Sequence, residues 1–243
     1  MPADAGPCSV TIDRQKREKM ARFELTPELK SKFVGNIFRI FTQATESEIN
    51  DGIAWYSRAR QDAERIAQRH EVAHNVAVAV VAALSPNNRW ERNVRDADTL
   101  ISAYMDGESV ESVSVCTYHK MRQKAWDILE FAHSSGSVNT DVDDGDLIRI
   151  LKGQKIVCFF QNIMGHDACT IDGHARNICY NERLSLSGSK FTIGKIEYAA
   201  LQECYRHAAS VLTLSADSRI PNGIKAYELQ AITWVAWRRI WGI

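Results

Sequence analysis

Apolar residues recur at helical spacing along most of the chain. Leu29, Phe33 and Ile37 are four positions apart, and a similar period returns between residues 47 and 69. The stretch from His74 to Leu84 differs, because almost all of its positions are apolar. A periodic stripe predicts an amphipathic helix on the outside of a core, whereas a helix that is apolar all round belongs at the centre. We therefore expect one central helix surrounded by amphipathic ones.

The same reasoning divides nearly the whole chain into helices. Thr26 followed by Pro27 is a strong helix start, since Thr caps the first turn and Pro fits the first helical position. No convincing pair of strands appears, so the sequence predicts an all-α fold. The predicted helices are 27–45, Ser47–Arg69, His74–Leu84, Trp90–Tyr104, Lys120–Ala132, Leu147–Lys152, a short apolar helix after Lys155, Ile196–Leu212 and Lys225–Trp241.

Two polar stretches suggest the domain organisation. Residues 1–22 are predicted to be a flexible N-terminal segment, and 23–243 a single helical domain. Within that domain, His133–Asp146 is acidic and rich in Ser and Gly, which favours a lobe boundary near 133–146. A second loop, Leu184–Gly194, is expected to hold a brief hairpin.

Composition narrows the partners and the compartment. The 30 basic and 30 acidic residues balance, so the protein is not coated in positive charge, although Lys and Arg cluster locally and permit a nucleic-acid surface. No apolar run reaches the roughly 18 residues of a membrane helix, and the N-terminus lacks the apolar block of a secretory signal. We expect a cytoplasmic protein without a membrane partner. The six cysteines form no CxxC pair, which predicts buried reduced thiols and no metal site.

The segment Leu151–Arg176 carries the best candidates for chemistry. Lys155 and Asp172 lie on either side of a short apolar helix, so one amine and one acid can face a single pocket. Asp172 is also placed to cap a helix that begins at Gly173. Residues 147–182 are therefore the segment in which we expect the site.

Three patterns occur in a fixed order. They are an apolar helix that ends in a polar turn (82–94), a basic and apolar helix (Lys120–Leu129), and Leu151-Lys152-Gly153-Gln154-Lys155 followed by Ile171-Asp172-Gly173-His174. This order resembles the helix-hairpin-helix DNA glycosylase superfamily. The resemblance implies two helical lobes with a cleft between them.

The resemblance also assigns roles along the segment. It implies that Lys152, Gly153 and Gln154 hold a DNA phosphate, that Asp172 is the catalytic aspartate, and that Lys155 lies near the catalytic lysine of lyase-type members. The hairpin departs from the family by one missing glycine, the position that Lys155 occupies when counted from Leu151. The cysteine cluster that holds iron–sulfur in endonuclease III is also absent.

The block Ser85–Asn93, together with Ile171–Arg176 and Tyr227–Trp234, resembles a divergent phage-associated branch of this fold. Its relatives include the α-glutamyl/putrescinyl thymine pyrophosphorylases, or amino acid:DNA transferases. The resemblance implies a thymine hypermodification enzyme that transfers an amine or amino acid, putrescine or similar, onto phosphorylated 5-hydroxymethyluracil in DNA. Phosphate or pyrophosphate leaves, and no cofactor is needed. The partners would be double-stranded DNA with a modified pyrimidine and the small co-substrate, in the host cytoplasm if the chain is phage-encoded.

Each candidate residue has a role in this reading. Asp172 would accept the proton of the amine, while Lys155 with Arg89 or Arg92 would hold the departing phosphate. Trp90 or Phe160 would stack on the extruded base. The base pocket is expected to comprise Asn87, Asn88, Trp90 and His174.

Two other functions remain open from the sequence. In a base-excision glycosylase, possibly with lyase activity, Lys155 would attack the sugar C1′ while Asp172 stabilises the developing positive charge. In a non-catalytic DNA-binding module, Asp172 would only cap its helix and Lys155 would be a solvated surface residue.

Overall fold

The computed structural model describes residues 23–136, 138–184 and 192–242, and within them the chain is all-α. No helix in these ranges is long and apolar enough to cross a membrane. The predicted flexible segment 1–22 lies outside these ranges. So do residues 185–191 of the loop Leu184–Gly194, in which a brief hairpin was expected. The helices are α1 (Pro27–Thr42), α2 (Glu46–His70), α3 (His74–Leu84), α4 (Trp90–Met105), a 3₁₀ turn (Val110–Ser112), α5 (His119–Ser134), α6 (Asp144–Leu151), α7 (Gln154–Met164), α8 (Gly173–Tyr180), α9 (Lys195–Leu214) and α10 (Ala226–Trp241).

The helix ends follow the capping residues. Thr26 accepts a hydrogen bond from the Leu29 amide at 3.2 Å, with Pro27 in the first turn, as predicted. Helix α1 stops at Thr42, short of the predicted end, because Thr45 already begins α2. There the Thr45 hydroxyl and the Glu48 carboxylate each accept a hydrogen bond from the other residue's amide, at 3.2 and 2.8 Å, which forms a capping box.

Helix α3 lies at the centre, as its uniform apolar character predicts. The residues from Val76 to Leu84 are fully buried. Around it, α4 to α7 and most of α2 form one apolar cluster, whereas α1, α8, α9 and most of α10 form a second. The predicted lobe boundary near 133–146 does not coincide with this division, because α5 and α6 on either side of it pack in the same cluster.

Helices α2 and α10 join the two clusters. In α2, Tyr56 packs in the first cluster and Ile49 in the second. In α10, Ala231 packs in the first cluster and Ile232 in the second. The two helices touch at Gly52, where an added Cβ would lie 2.5 Å from the backbone of Ile232. Only glycine permits so close a crossing, so Gly52 fixes how the two clusters meet.

The cysteines divide by environment. Cys169, Cys179 and Cys204 are buried and free, as predicted, and burial raises their pKa values, to about 11 for Cys204. Cys158 is half-buried, and Cys116 is exposed on the loop before α5. Its Sγ accepts a hydrogen bond from Arg92 at 3.0 Å.

Candidate active site

A cavity of about 870 Å³ opens where the two apolar clusters meet. Its walls come from α2, the turn between α3 and α4, the first turn of α4, the first half of α7, the chain that leads into α8 together with its first turn, and α10. The lining residues are Trp55, Tyr56, Arg58, Gln61, Asp62, Arg65, Ser85, Asn88, Arg89, Trp90, Glu91, Asn93, Lys155, Phe159, Thr170, Asp172, His174, Gln230, Ala231, Trp234 and Arg238.

The hairpin between α6 and α7 sets the position of Lys155. Helix α6 ends at Leu151, and α7 begins at Gln154 after a connection of two residues. Both have positive φ, 48° at Lys152 and 80° at Gly153, which turns the chain sharply. Lys124 supports the turn by donating a hydrogen bond to the Leu151 carbonyl at the end of α6. This geometry places Lys155 in the first turn of α7, where it lines the cavity.

The loop that leads to Asp172 is held by the buried side chain of Asn162 on α7. Its amide nitrogen donates to the carbonyls of His166, at 3.2 Å, and Ala168, at 2.7 Å. Its carbonyl oxygen accepts from the Thr170 hydroxyl at 2.8 Å. One buried amide thus binds three groups of the loop, of which the His166 carbonyl also accepts from the Ala168 amide at 2.9 Å.

Helix α9 holds the same loop from the other side. The Tyr198 hydroxyl accepts a hydrogen bond from the Ile171 amide at 3.0 Å, and the Gln202 side chain donates to the Cys169 carbonyl at 2.7 Å. Burial raises the pKa of Tyr198, so its phenol stays neutral. The backbone directly before Asp172 is therefore fixed from two helices.

Asp172 caps α8, as the sequence predicts. Its Oδ1 accepts a hydrogen bond from the Ala175 amide at 2.8 Å, and the residue is only partly buried. Within the described chain Oδ2 accepts no hydrogen bond. One oxygen orients the carboxylate on the helix, and the other remains available to a ligand in the cavity.

His174 follows in the first turn of α8. Its ring meets Trp234 of α10 edge to face, with centroids 6.3 Å apart. Its Nδ1 is buried and has no hydrogen-bond partner in the described residues. His174 therefore packs against α10 while one ring nitrogen remains unused.

Aromatic rings form one side of the cavity. The centroid of Trp55 lies 5.2 Å from that of Trp90 and 5.8 Å from that of Phe159, and Trp90 and Phe159 are 6.3 Å apart. Asp62 fixes the Trp90 indole by accepting from its Nε1 at 2.9 Å. These three rings, named the aromatic wall below, offer flat apolar surface to a ligand. Phe160, predicted to stack, is fully buried instead, because the helical turn directs its neighbour Phe159 to the cavity.

Tyr56 and Gln230 extend this surface at the crossing of α2 and α10. The Tyr56 hydroxyl donates to Oε1 of Gln230 at 3.3 Å. Burial raises the pKa of Tyr56, and the nearby Asp172 carboxylate raises it further. Tyr56 is thus a neutral hydrogen-bonding group close to Asp172.

The charges around the cavity are predominantly positive. Five basic and three acidic residues line it, and some of them already pair: Arg65 with Asp62, and Arg58 with Asp51 at 3.5 Å. Lys155 and Arg89 form no ion pair within the described residues. These two cations are therefore available to an anionic ligand.

The structure brings together six of the eleven predicted site residues. Asn88, Arg89, Trp90, Lys155, Asp172 and His174 line the cavity, whereas Asn87, Arg92, Lys152, Gly153 and Gln154 do not. Asn87 is exposed in the turn with φ of 56°, and Arg92 contacts Cys116. Lys152, Gly153 and Gln154 are exposed at the hairpin, outside the cavity.

The sequence reasoning missed the contributions of α2 and α10. Residues 55, 58, 62 and 65 of α2 recur at helical spacing and combine an aromatic ring with charges. Trp234 and Arg238 of α10 are also one turn apart, and the Arg238 guanidinium lies 4.6 Å from the Trp234 ring centroid. The sequence pattern indicates a polar or aromatic face on each of these two helices, but only the fold shows that the two faces line one cavity.

A family model described as "Family of unknown function (DUF7178)" matches residues 20–240, so the chain belongs to this family. No curated protein and no solved structure matches the chain.

Proposed function

We propose that this DUF7178 protein modifies pyrimidine bases in DNA by transferring an amine onto an activated 5-hydroxymethyl group. The observation that carries the proposal is that Asp172 and Lys155 line one cavity with the aromatic wall. A carboxylate, a cation and flat apolar surfaces are the three features that such a reaction needs. The resemblance to helix-hairpin-helix glycosylases is the reason for proposing DNA as the substrate.

The hairpin supports binding to a DNA backbone. Lys152 and Gly153 are exposed, and the first amides of α7 have no side-chain cap, so they can bind a phosphate. Burial lowers the pKa of Lys124, and the positive charges of Lys152 and Lys120 lower it further. Lys120 precedes Lys124 by one turn of α5, and Lys124 donates to the Leu151 carbonyl beside Lys152, so the three lysines form one cluster. Such a cluster attracts DNA without reading its sequence.

A base must leave the duplex before the cavity can receive it. Flipping costs about a few kcal/mol, which stacking on aromatic side chains helps to offset. The aromatic wall provides that surface, and 870 Å³ is within the usual range for ligand pockets, about 300–1,000 Å³. In this proposal the base stacks on the aromatic wall, with its C5 substituent towards Asp172 and Lys155.

The transfer forms one bond and breaks another. The nitrogen of a neutral amine attacks the methylene carbon on C5, and the bond from that carbon to the phosphate or pyrophosphate oxygen breaks. Asp172 accepts the proton that the nitrogen loses, which suits a carboxylate with one oxygen not committed to capping. The glycosidic bond stays intact.

The leaving group takes the bonding electrons and carries several negative charges. Lys155 and Arg89, which have no ion pair within the described residues, would stabilise that charge as it develops. Arg92 is not assigned to this role, since it lies outside the cavity. The surplus of basic residues around the cavity is the feature that favours a phosphorylated substrate.

The test is analysis of nucleosides after reaction. Duplex DNA that carries phosphorylated or pyrophosphorylated 5-hydroxymethyluracil is incubated with protein and candidate amines, then digested and examined by mass spectrometry. We expect a thymine derivative with the mass of the added amine, formed by the native chain and not by Asp172→Asn. Unchanged nucleosides with every amine and either activated base would reject the proposal.

A base-excision glycosylase with lyase activity is the second candidate. The observation that favours it is again Lys155 in the same cavity as Asp172, since an amine could attack C1′ and a carboxylate could stabilise the positive charge. Borohydride would then trap a covalent adduct between Lys155 and DNA, and free base would appear. Neither is expected of the transferase. DNA binding without any reaction would instead indicate a non-catalytic module.

A further inference from the structure

Trp90 has a polar anchor in addition to its ring contacts. Its Nε1 donates a hydrogen bond to Oδ2 of Asp62 at 2.9 Å. Its ring is tilted by 57° to that of Trp55 and by 81° to that of Phe159. A hydrogen bond to a carboxylate is roughly twice as strong as one between neutral groups, and it acts along one direction, whereas ring pairs accept several tilts. The contact with Asp62 is therefore the one that orients the indole.

Asp62 is itself held at both carboxylate oxygens. Oδ2 accepts from Trp90, and Oδ1 accepts from the Arg65 guanidinium, which lies about one turn further along α2. Asp62 also follows Trp55 by two turns on the same face of α2, and both residues line the cavity. Asp172 differs, because only one of its oxygens accepts a hydrogen bond within the described chain. The carboxylate of Asp62 is thus committed to its neighbours, whereas that of Asp172 can meet a ligand.

The position of Trp90 in the chain explains why its ring needs an anchor. It is the first residue of α4, and this helix begins without a side-chain cap. The turn before it contains Asn87 with φ of 56°, in the left-handed region. The indole is only half-buried, and side chains with access to solvent change rotamer within nanoseconds. Without Asp62, the ring would therefore sample several orientations.

We infer that Asp62 is a positioning residue, which keeps the Trp90 indole in the orientation on which an extruded base stacks. The inference rests on the proposed function, because it takes the planar ligand to be a base. A ring that is already ordered loses no side-chain freedom when the ligand binds, which is the general advantage of preorganisation. Asp62 therefore acts through Trp90 and exchanges no proton with the substrate.

The test isolates the contribution of the base to binding. One duplex carries a single thymine opposite an abasic site, and a second duplex has an abasic residue in place of that thymine as well. Fluorescence anisotropy gives both dissociation constants, and the constant of the second duplex divided by that of the first is named the base ratio below. Backbone contacts contribute equally to both duplexes and cancel. For the native chain we expect a base ratio of about ten, which is in the range for one base stacked on aromatic side chains.

Asp62→Ala removes the acceptor and should lower the base ratio to about three or less. It also releases Arg65, but a released cation acts on both duplexes alike and leaves the ratio unchanged. Asp62→Asn keeps an oxygen that can accept from the indole. Its base ratio should therefore lie between those of the native chain and Asp62→Ala.

Asp51→Ala is the matched control. Asp51 is also on α2 and pairs with Arg58, another arginine that lines the cavity, at 3.5 Å. The control therefore changes the net charge and releases an arginine in the same way, but it leaves the bond between Asp62 and Trp90 in place. Its base ratio should equal that of the native chain.

Trp90→Phe removes the donor instead of the acceptor. Phe keeps a flat ring but has no N–H, so the base ratio should fall here too, and this variant serves if Asp62→Ala does not fold. When Asp62→Ala is added to Trp90→Phe, the base ratio should change by less than about 1.5-fold, because the bond is already absent. Such non-additivity distinguishes a residue that acts through Trp90 from one that touches the ligand. Thermal unfolding checks that each variant is folded.

The outcomes separate this inference from the proposed function. A native base ratio in Asp62→Ala or in Trp90→Phe would overturn the inference and leave the proposed function standing. An equal fall in Asp51→Ala would trace the effect to released arginines, and a further fall in the double variant would place Asp62 against the ligand, so either result also contradicts it. A fall confined to the variants that break the bond, without amine transfer by the native chain, would support the inference and reject the proposed function. A base ratio of about one in the native chain would reject both.

Discussion

The two ends of the segment from the hairpin to Asp172 differ in how they are held. The loop before Asp172 is bound by side chains of Asn162, Tyr198 and Gln202, which reach it from two helices. The hairpin end is exposed at Lys152 and Gly153, and the first turn of α7 has no side-chain cap. A single short helix, α7, therefore connects a fixed carboxylate to an open surface.

This difference separates two tasks. A group that takes part in chemistry must stay within a fraction of an ångström of its working position, and a network of buried hydrogen bonds provides that. A surface that binds a long anionic polymer needs only charge and free donors, which exposed groups supply. Changes at the fixed end should therefore affect rate and stability, and changes at the open end should affect affinity and salt dependence.

The largest effect is expected from Asp172→Asn. Loss of the proton acceptor should slow amine transfer about 10²- to 10⁴-fold. Stability should change by less than about 1 kcal/mol, because Asn caps a helix nearly as well as Asp. Single-turnover transfer rates and thermal unfolding measure the two quantities. Asp167→Asn, in the exposed part of the same loop, is the control and should leave the rate unchanged.

Gly52→Ala changes the close crossing of α2 and α10, two helices that line the cavity. The new Cβ would lie 2.4–2.5 Å from Ile232 atoms, including its backbone, so α2 and α10 would have to separate. We expect a loss of about 3 kcal/mol in the free energy of unfolding, together with slower transfer.

Gly35→Ala is the matched control for Gly52→Ala. Gly35 lies in α1, and a Cβ there meets nothing within 4 Å. Because Ala favours a helix over Gly, this variant should gain about 0.5–1 kcal/mol. Urea unfolding of both variants checks the pair, and equal effects would contradict the close crossing.

Asn162→Ala weakens the fixed end directly. It removes three hydrogen bonds, those to the His166 and Ala168 carbonyls and the one from the Thr170 hydroxyl, which should cost about 2 kcal/mol of stability. The transfer rate should fall as well, because Asp172 is no longer held in place. A variant that unfolds more easily but transfers at the native rate would show that the network does not position Asp172.

Asn177→Ala tests whether that loss is specific. Asn177 is equally buried and donates to the Leu184 carbonyl at 3.0 Å, in the chain that follows α8 and not in the loop before Asp172. Its removal should lower stability but leave the transfer rate unchanged.

Lys152→Gln should have the smallest effect, and only at the open end. We expect affinity for a generic duplex to fall a few-fold and the slope of log K against log salt to decrease by about one. Stability should stay within about 0.5 kcal/mol, since the side chain is exposed. Lys32→Gln, on the exposed surface of α1, is the control for fluorescence titrations at several salt concentrations. An equal loss in both variants would contradict a local DNA surface.

Much of the fold was accessible from the sequence because capping residues and apolar periodicity are local signals. Thr26 with Pro27 and the uniform apolar run of α3 predicted their helices closely. The grouping of the helices into two apolar clusters was not accessible in the same way, because a polar loop such as 133–146 does not show which helices share a core.

Part of the lining of the candidate cavity was predicted for the same reason. Asp172, Lys155 and the residues around Trp90 lie in local motifs, whereas Trp55 and Trp234 meet them only through the crossing of α2 and α10. Asn162 is a single polar residue in an apolar helix, and its three partners become visible only when the following loop is folded back. The pattern of apolar and polar residues along the chain could not predict these contacts, because they join residues that are distant in the sequence.

The most direct test of the central claim asks whether an extruded pyrimidine occupies the cavity. Duplex DNA with 5-iodouracil at one position is bound and irradiated, and the crosslinked peptide is identified by mass spectrometry. We predict attachment at Trp55, Trp90 or Phe159, with loss of the crosslink when unmodified single-stranded competitor is added in excess. Crosslinks confined to residues outside the cavity would contradict the account.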